Sequence, residues 1–314
     1  MELSTILSLG QTALELGLVC SLTVLALFLS YSMLNVCDLS TDGCFTLGAA
    51  VGAVVALAGH PWLSLGAAMA AGIISGFVVA VLQTRMGVNS LLAGIIVNTG
   101  LYSINIAVMG GSSMLNMNKT ETVFSIVKTA LNGTSLEGAY RLLVSGAAVI
   151  AALLILTLFL RTRLGLAIRA TGNNPDMVRS SSINPAFTTT VGLCIANAFT
   201  ALSGCLLAQS QKAVDINLGT GMVTIALASL LIGGTVMGRG GVFRRAVGVV
   251  LGAIIFRLVY TVALRFNMPA FMLKLVSSVI VVLAISIPYL KAQLPMLRRR
   301  MAVRTASGAK GGRE

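Results

Sequence analysis

The chain has 314 residues, 56% of them hydrophobic and 10% charged, with a mean hydropathy of +0.94 and a net charge of +13. Soluble domains carry roughly a quarter of charged residues, so this composition excludes an ordinary water-soluble globule and describes a polytopic membrane protein. A single histidine, His60, excludes multi-histidine metal centres, and the absence of a G-x-x-x-x-G-K-[ST] loop excludes a P-loop ATP site, so neither metal nor cofactor is expected.

A helical span needs about 20 apolar residues. Nine stretches qualify: 10–34, 45–60, 63–84, 88–109, 140–160, 186–209, 219–237, 246–265 and 270–290. Short or glycine-interrupted stretches make the count eight to ten. The alternating signature of a β-barrel is absent, so the fold class is all-α, a polytopic transmembrane helix bundle over 1–290. With nine spans and the basic tail 291–314 placed inside, the inner loops hold fifteen of the 22 Lys and Arg residues and the outer loops six. That bias sets the C-terminus in the cytoplasm, and the tail reads as an anchor on anionic membrane lipid rather than a nucleic-acid arm.

The N-terminus, "MELSTILSLG", lacks the basic start of a cleavable signal. Glu15, early in the first span, can reach the outer interface and reads as an interfacial or structural residue. "CDLSTDG" then interrupts two apolar stretches with Asp38, Ser40 and Asp42. Two readings fit: the carboxylates cap the following helix, or they line a cavity at the substrate path. The following spans are dense in Gly and Ala, which lets helix backbones approach closely. His60 lies beside Pro61 and Trp62 at a predicted outer interface. Asn98, Tyr102 and Asn105 share one face of the fourth span, either against other helices or along a path.

The predicted outer segment 110–136 places Phe124, Val127 and Leu131 on one helical face, so a short amphipathic helix is expected there. The segment from Ala213 repeats the order Asp, branched apolar, polar, glycine, small-residue helix at Asp215. On the predicted topology its helix runs opposite to the one after Asp38, as an inverted repeat would. Arg257, mid-span, requires an acid, carbonyls or water, and an Asp of the break is one candidate partner. Asp38, Ser40, Asp42, Asn98, Asp215 and Arg257 are therefore the candidate path residues.

Between the fifth and sixth spans lies "RATGNNPDMVRSSSINP". Asn174 suits an N-cap, Pro175 a first helical position, and Asp176 the positive helix end. Met177 and Val178 offer apolar contact, and Arg179 charge. Asn184-Pro185 can open the next span in the same way. Spacing alone leaves two readings, a docking helix of about two turns or an ordinary basic loop.

Four ordered stretches resemble the permease family of bacterial ABC importers for branched-chain amino acids, ribose and related sugars: "LNVCDLSTDGCFTLGAAVGA", "RTRLGLAIRATGNNPDMVRSSSIN", "ANAFTALSGCLLAQSQ" and "LIGGTVMGRGGVFRRAVGVVLGAIIFRLVY". Within it, "DLSTDGCFTLGAAV" and "LAGIIVNTGLYSINIAVMGG" look most like a subgroup linked to binding lipoproteins for aromatic amino acids. The resemblance implies a type II-like ABC importer permease in the bacterial cytoplasmic membrane, pairing with a second copy or a homologue. It also implies cytoplasmic ATPase subunits, which segment 161–185 would contact through Asn174–Arg179, and an extracytoplasmic substrate-binding protein. The chain itself is then a transport subunit and not an enzyme. The implied cargo is an amino acid, with sugars and nucleosides as alternatives, and a stand-alone transporter or channel is the alternative class. Ser182 stands where the family has glycine after the short helix, which leaves a left-handed C-cap less comfortable there.

Overall fold

The computed structural model describes residues 3–133, 137–238 and 240–265, with 275, 278–283 and 286. α1 (Leu3–Leu27) runs directly into a π-helical turn, Phe28–Met33, and together they supply the first membrane-length apolar helix, Leu9–Met33. α2 (Thr41–Leu57), α3 (Pro61–Thr84) and α4 (Ser90–Val108) follow. A strand β1 (Met114–Asn116) and a short helix α5 (Val123–Ala130) lead to α6 (Tyr140–Phe159). Then come α7 (Arg163–Asn173), α8 (Pro175–Ser180) and the 27-residue α9 (Pro185–Gln211). Strand β2 (Ala213–Asp215), α10 (Met222–Met237) and α11 (Val242–Arg265) complete the described elements.

Six helices among the described residues are long and apolar enough to cross a membrane, and α2 and α10 are shorter apolar helices. These eight correspond to the first eight predicted stretches. The stretch 270–290 lies largely outside the described residues, and the tail 291–314 wholly so.

The packing has a centre and a rim. The apolar windows of α1 and α9 are 72% and 78% buried, while those of α3, α4, α6 and α11 are 33% buried or less. The rim helices turn Ile74, Phe77, Ile96, Ile155 and Leu158 outward. Such a surface is stable in hydrocarbon and costly in water. Small residues let the central helices close up, because a Cβ at Gly48 or Gly204 would strike the backbone of the facing helix at Ala201 or Phe45.

At one end of the bundle β1 and β2 pair antiparallel, with Leu115 opposite Val214. α5 lies at the same end, where the amphipathic helix was expected. A reciprocal Thr122–Ser125 capping box starts it, Phe124 is buried, and Val127 and Leu131 are half-buried. The side chain of Gln209 also holds its start, accepting from Val123 N at 2.9 Å and donating to Ser64 Oγ at 2.7 Å. At the opposite end lie α7 and α8. Residues 163–173 form the helix α7, which the Thr162 side chain caps through Gly165 N at 3.2 Å.

Candidate functional site

After the π-helical turn the chain does not leave the bundle. Asn35 adopts a left-handed conformation, φ 56°, and Leu34–Ser40 climbs back along α9. It ends at Asp38, which is 2% exposed and meets Asn197, the thirteenth of the 27 residues of α9. At 1.5 Å per residue this contact lies about 18 Å from the start of α9, close to its middle. The Asp38 carboxylate accepts from Ser40 N at 2.8 Å, Ser40 Oγ at 2.6 Å and Asn197 Nδ2 at 2.8 Å. A buried carboxylate is tolerable only when donors converge on it, and here all three are neutral.

Asp42, the second residue of α2, reaches across to another helix. Its two oxygens accept from Gly221 N and Val223 N at 2.9 Å each. It therefore caps α10, whose own N-cap, Gly221, has no side chain to offer. Thr46 Oγ1 accepts from Gly219 N at 3.1 Å, and a Cβ at Gly219 would strike the Asp42 carbonyl. The N-termini of two short helices thus converge beside Asp42. Asp42 therefore does not cap the helix that follows the break, as one reading expected, but the start of α10.

Beside that junction opens a cleft of about 420 Å3, lined by Asp42, Thr46, Asn98, Thr99, Tyr102 and Thr220 among others. Asn98 is half-buried, whereas Thr99, Tyr102 and Ser103 are exposed on α4. Polar groups at such depth are costly against lipid, so this face suits water, a solute or another protein. Asp42 and Asn98 thus share one wall. Asp38 and Ser40 do not line the cleft and are buried instead at the Asn197 contact. Asn105, on the same face of α4, donates to Gly43 O at 3.1 Å.

Asp215 lies on β2, half-buried, and its carboxylate accepts from Asn217 N at 2.7 Å, which turns the chain toward the cleft. Arg257 joins neither acid of the break. It packs between α11 and α1, donating to Cys20 Sγ at 3.0 Å, with its guanidinium 5.6 Å from the centre of the Tyr260 ring.

At the α7/α8 end, Asn174 Oδ1 accepts from Asp176 N and Met177 N at 3.1 Å each, Pro175 is the first helical residue, and Asn184 starts α9 in the same way. Met177 and Val178 divide: Val178 is buried against the bundle and Met177 is 66% exposed. Asp176 and Arg179 face solvent 3.9 Å apart. The helix ends in two bonds, Ser182 N to Arg179 O and Ile183 N to Val178 O, each 3.2 Å, with Ser182 at φ 60°. This is a Schellman ending with serine in the left-handed position that glycine occupies most easily.

α8 connects to the break through α7. Gly172 lies so close to the π-helical turn that a Cβ there would strike the Met33 carbonyl. Thr171 Oγ1 and Thr188 Oγ1 hydrogen-bond at 2.8 Å, tying α7 to α9. From Met33 the chain reaches Asp38 within five residues. Sequence reasoning passed over Asn197, Gly172 and Gly219. An amide in the middle of the apolar run "LCIANAFTAL" is the one signal that could have found Asn197.

The sequence model of the family described as "Branched-chain amino acid transport system / permease component" matches residues 11–285. A tyrosine transport system permease protein of Clostridioides difficile is 30% identical over 267 residues, 85% of this chain and 86% of that one. An uncharacterised protein of Rickettsia prowazekii is 34% identical over 224 residues, 71% of this chain and 75% of that one. A galactose/methyl galactoside import permease protein of Haemophilus influenzae is 28% identical over 221 residues, 70% and 63% of the two chains. No solved structure matches the chain.

Proposed function

The chain belongs to the family of permease components of branched-chain amino acid transport systems, the membrane subunits of ABC importers, and from that membership we propose that it carries an amino acid inward. The energy comes from a separate ATPase that engages α8. One observation carries the coupling: a capped helix with exposed Met177, Asp176 and Arg179 is joined by α7 to the turn that leads into the buried Asp38 break. A push on α8 is transmitted through close backbone contact at Gly172 and Met33, where little side chain can absorb it.

In this reading the α7/α8 end faces the cytoplasm, as the Lys and Arg bias favours. The cleft beside Asp42 and Asn98 belongs to the solute path, and a second copy or a homologue facing α4 closes it. An extracytoplasmic binding protein delivers cargo at the β1/β2 end.

The relative named for tyrosine favours an aromatic amino acid. The relative named for galactose supports a second reading, a sugar, and the hydroxyls of Thr46, Thr99, Ser103 and Thr220 in the cleft suit either. The test is uptake into proteoliposomes holding the chain with the ATPase and binding protein of its importer, using labelled L-tyrosine and galactose. ATP-dependent tyrosine uptake supports the first reading, and galactose uptake replaces it with the second. Ion-driven uptake by the chain alone would remove both.

A further inference from the structure

Glu15 takes no part in the break or in α8. It opens instead into a cavity of about 310 Å3 between α1, α5, α6 and α9 at the β1/β2 end, which Arg141 also lines. The two charges do not pair with each other, since among the described residues the one ion pair is Arg179–Asp176. Among the described residues Glu15 Oε1 accepts from Gln11 Nε2 at 3.1 Å. Arg141 is held by its Nε, which donates to the Tyr140 hydroxyl at 3.0 Å, and by the Tyr140 ring 5.7 Å away. Arg141 is exposed, and among the described residues its two terminal nitrogens have no hydrogen-bond partner. Buried Phe124 and Val19, with half-buried Leu16, form the apolar part of the lining, and Ser210 adds a hydroxyl.

An acid and a base that share one cavity without neutralising each other present complementary charges to a molecule bearing both signs. A solute carrying one charge would meet only one of them and leave the other, half-buried Glu15 or exposed Arg141, to water. The volume is at the small end of the roughly 300–1,000 Å3 of ligand pockets, which fits a single amino acid better than a nucleotide. We propose that this cavity binds a small zwitterion of the α-amino acid class, at a site separate from the Asp42 cleft. The ammonium faces Glu15, the carboxylate faces Arg141, and the apolar side chain lies against Phe124, Leu16 and Val19.

The test is equilibrium binding of labelled L-phenylalanine to the full chain in nanodiscs of phosphatidylglycerol, with phenethylamine and 3-phenylpropanoate as competitors. L-Phenylalanine should compete at least about tenfold better than either analogue, each of which lacks one charge. Arg141→Gln should remove the preference over phenethylamine, and Glu15→Gln the preference over 3-phenylpropanoate. A general loss of fold would weaken all three compounds together and could not produce those opposite changes. Equal competition by the three, or unaltered preferences in both variants, overturns the proposal. Binding lost when phosphatidylethanolamine replaces phosphatidylglycerol assigns the cavity to a lipid headgroup and also overturns it. Transport does not enter the measurement, so its outcome is separate from that of the uptake experiment.

Discussion

The buried contact between Asp38 and Asn197 makes a strong prediction because it can be reversed. Asn197→Ala removes one donor from a carboxylate that keeps two, and losing a hydrogen bond to a charged group costs about 1.5–3 kcal/mol. Asn197→Asp is harsher. It sets a second carboxylate where an amide lay 2.8 Å away, and at an effective dielectric of 20 the repulsion is about 6 kcal/mol unless a proton is shared. Exchanging the two residues, Asp38→Asn with Asn197→Asp, restores one amide facing one carboxylate, while the amide oxygen introduced at position 38 can still accept from Ser40. Thermal unfolding followed by size-exclusion chromatography of a fluorescent fusion reads the series. A shift on the order of 2 °C per kcal/mol puts Asn197→Ala about 3–6 °C below the parent and Asn197→Asp about 10 °C below or unfolded. The exchanged pair should recover more than half of the Asn197→Asp loss. If the exchanged pair melts no higher than Asn197→Asp alone, the contact is not what holds the break.

Ser182→Gly should raise stability by about 0.5–1 kcal/mol, because relief of left-handed strain of about 1–2 kcal/mol outweighs the added chain entropy; a rise of about 1–2 °C in the same assay checks it. Gly172→Ala should cost about 1–3 kcal/mol and reduce uptake beyond the loss of folded protein, whereas Gly146→Ala, where nothing crowds a Cβ, should do neither. Asp42→Ala should free the start of α10 and cost about 2–4 kcal/mol, with Asp42→Asn milder because one acceptor remains; hydrogen exchange at Gly221 and Val223 should rise in the same order.

The spans were legible because lipid demands length and apolarity, and both can be counted along a chain. The caps at Asn174 and Asn184 were legible because an Asn-Pro pair acts on its own next two residues. The partners of the two break carboxylates were not, since Asp42 bonds Gly221 and Val223 across 179 and 181 residues and Asp38 meets Asn197 across 159. Local pattern cannot register such pairs. Nor did it reveal that Met177 and Val178 part, because a six-residue helix is too short to show a periodic face. α7 is faint in the sequence for another reason. Its start has Arg163 and Gly165, and its sequence is weakly apolar, so its helicity depends on Ile168 and Gly172 packing against the bundle.

The central claim is that α8 passes the ATPase's work to the break. The direct measurement is binding-protein-stimulated ATP hydrolysis and uptake by the reconstituted complex carrying Met177→Asp, a substitution at a side chain that is 66% exposed and so tolerated by the fold. Uptake should fall at least about tenfold and the stimulation of hydrolysis should disappear, with the amount of permease in the membrane unchanged. Parental uptake together with parental stimulation would contradict the account.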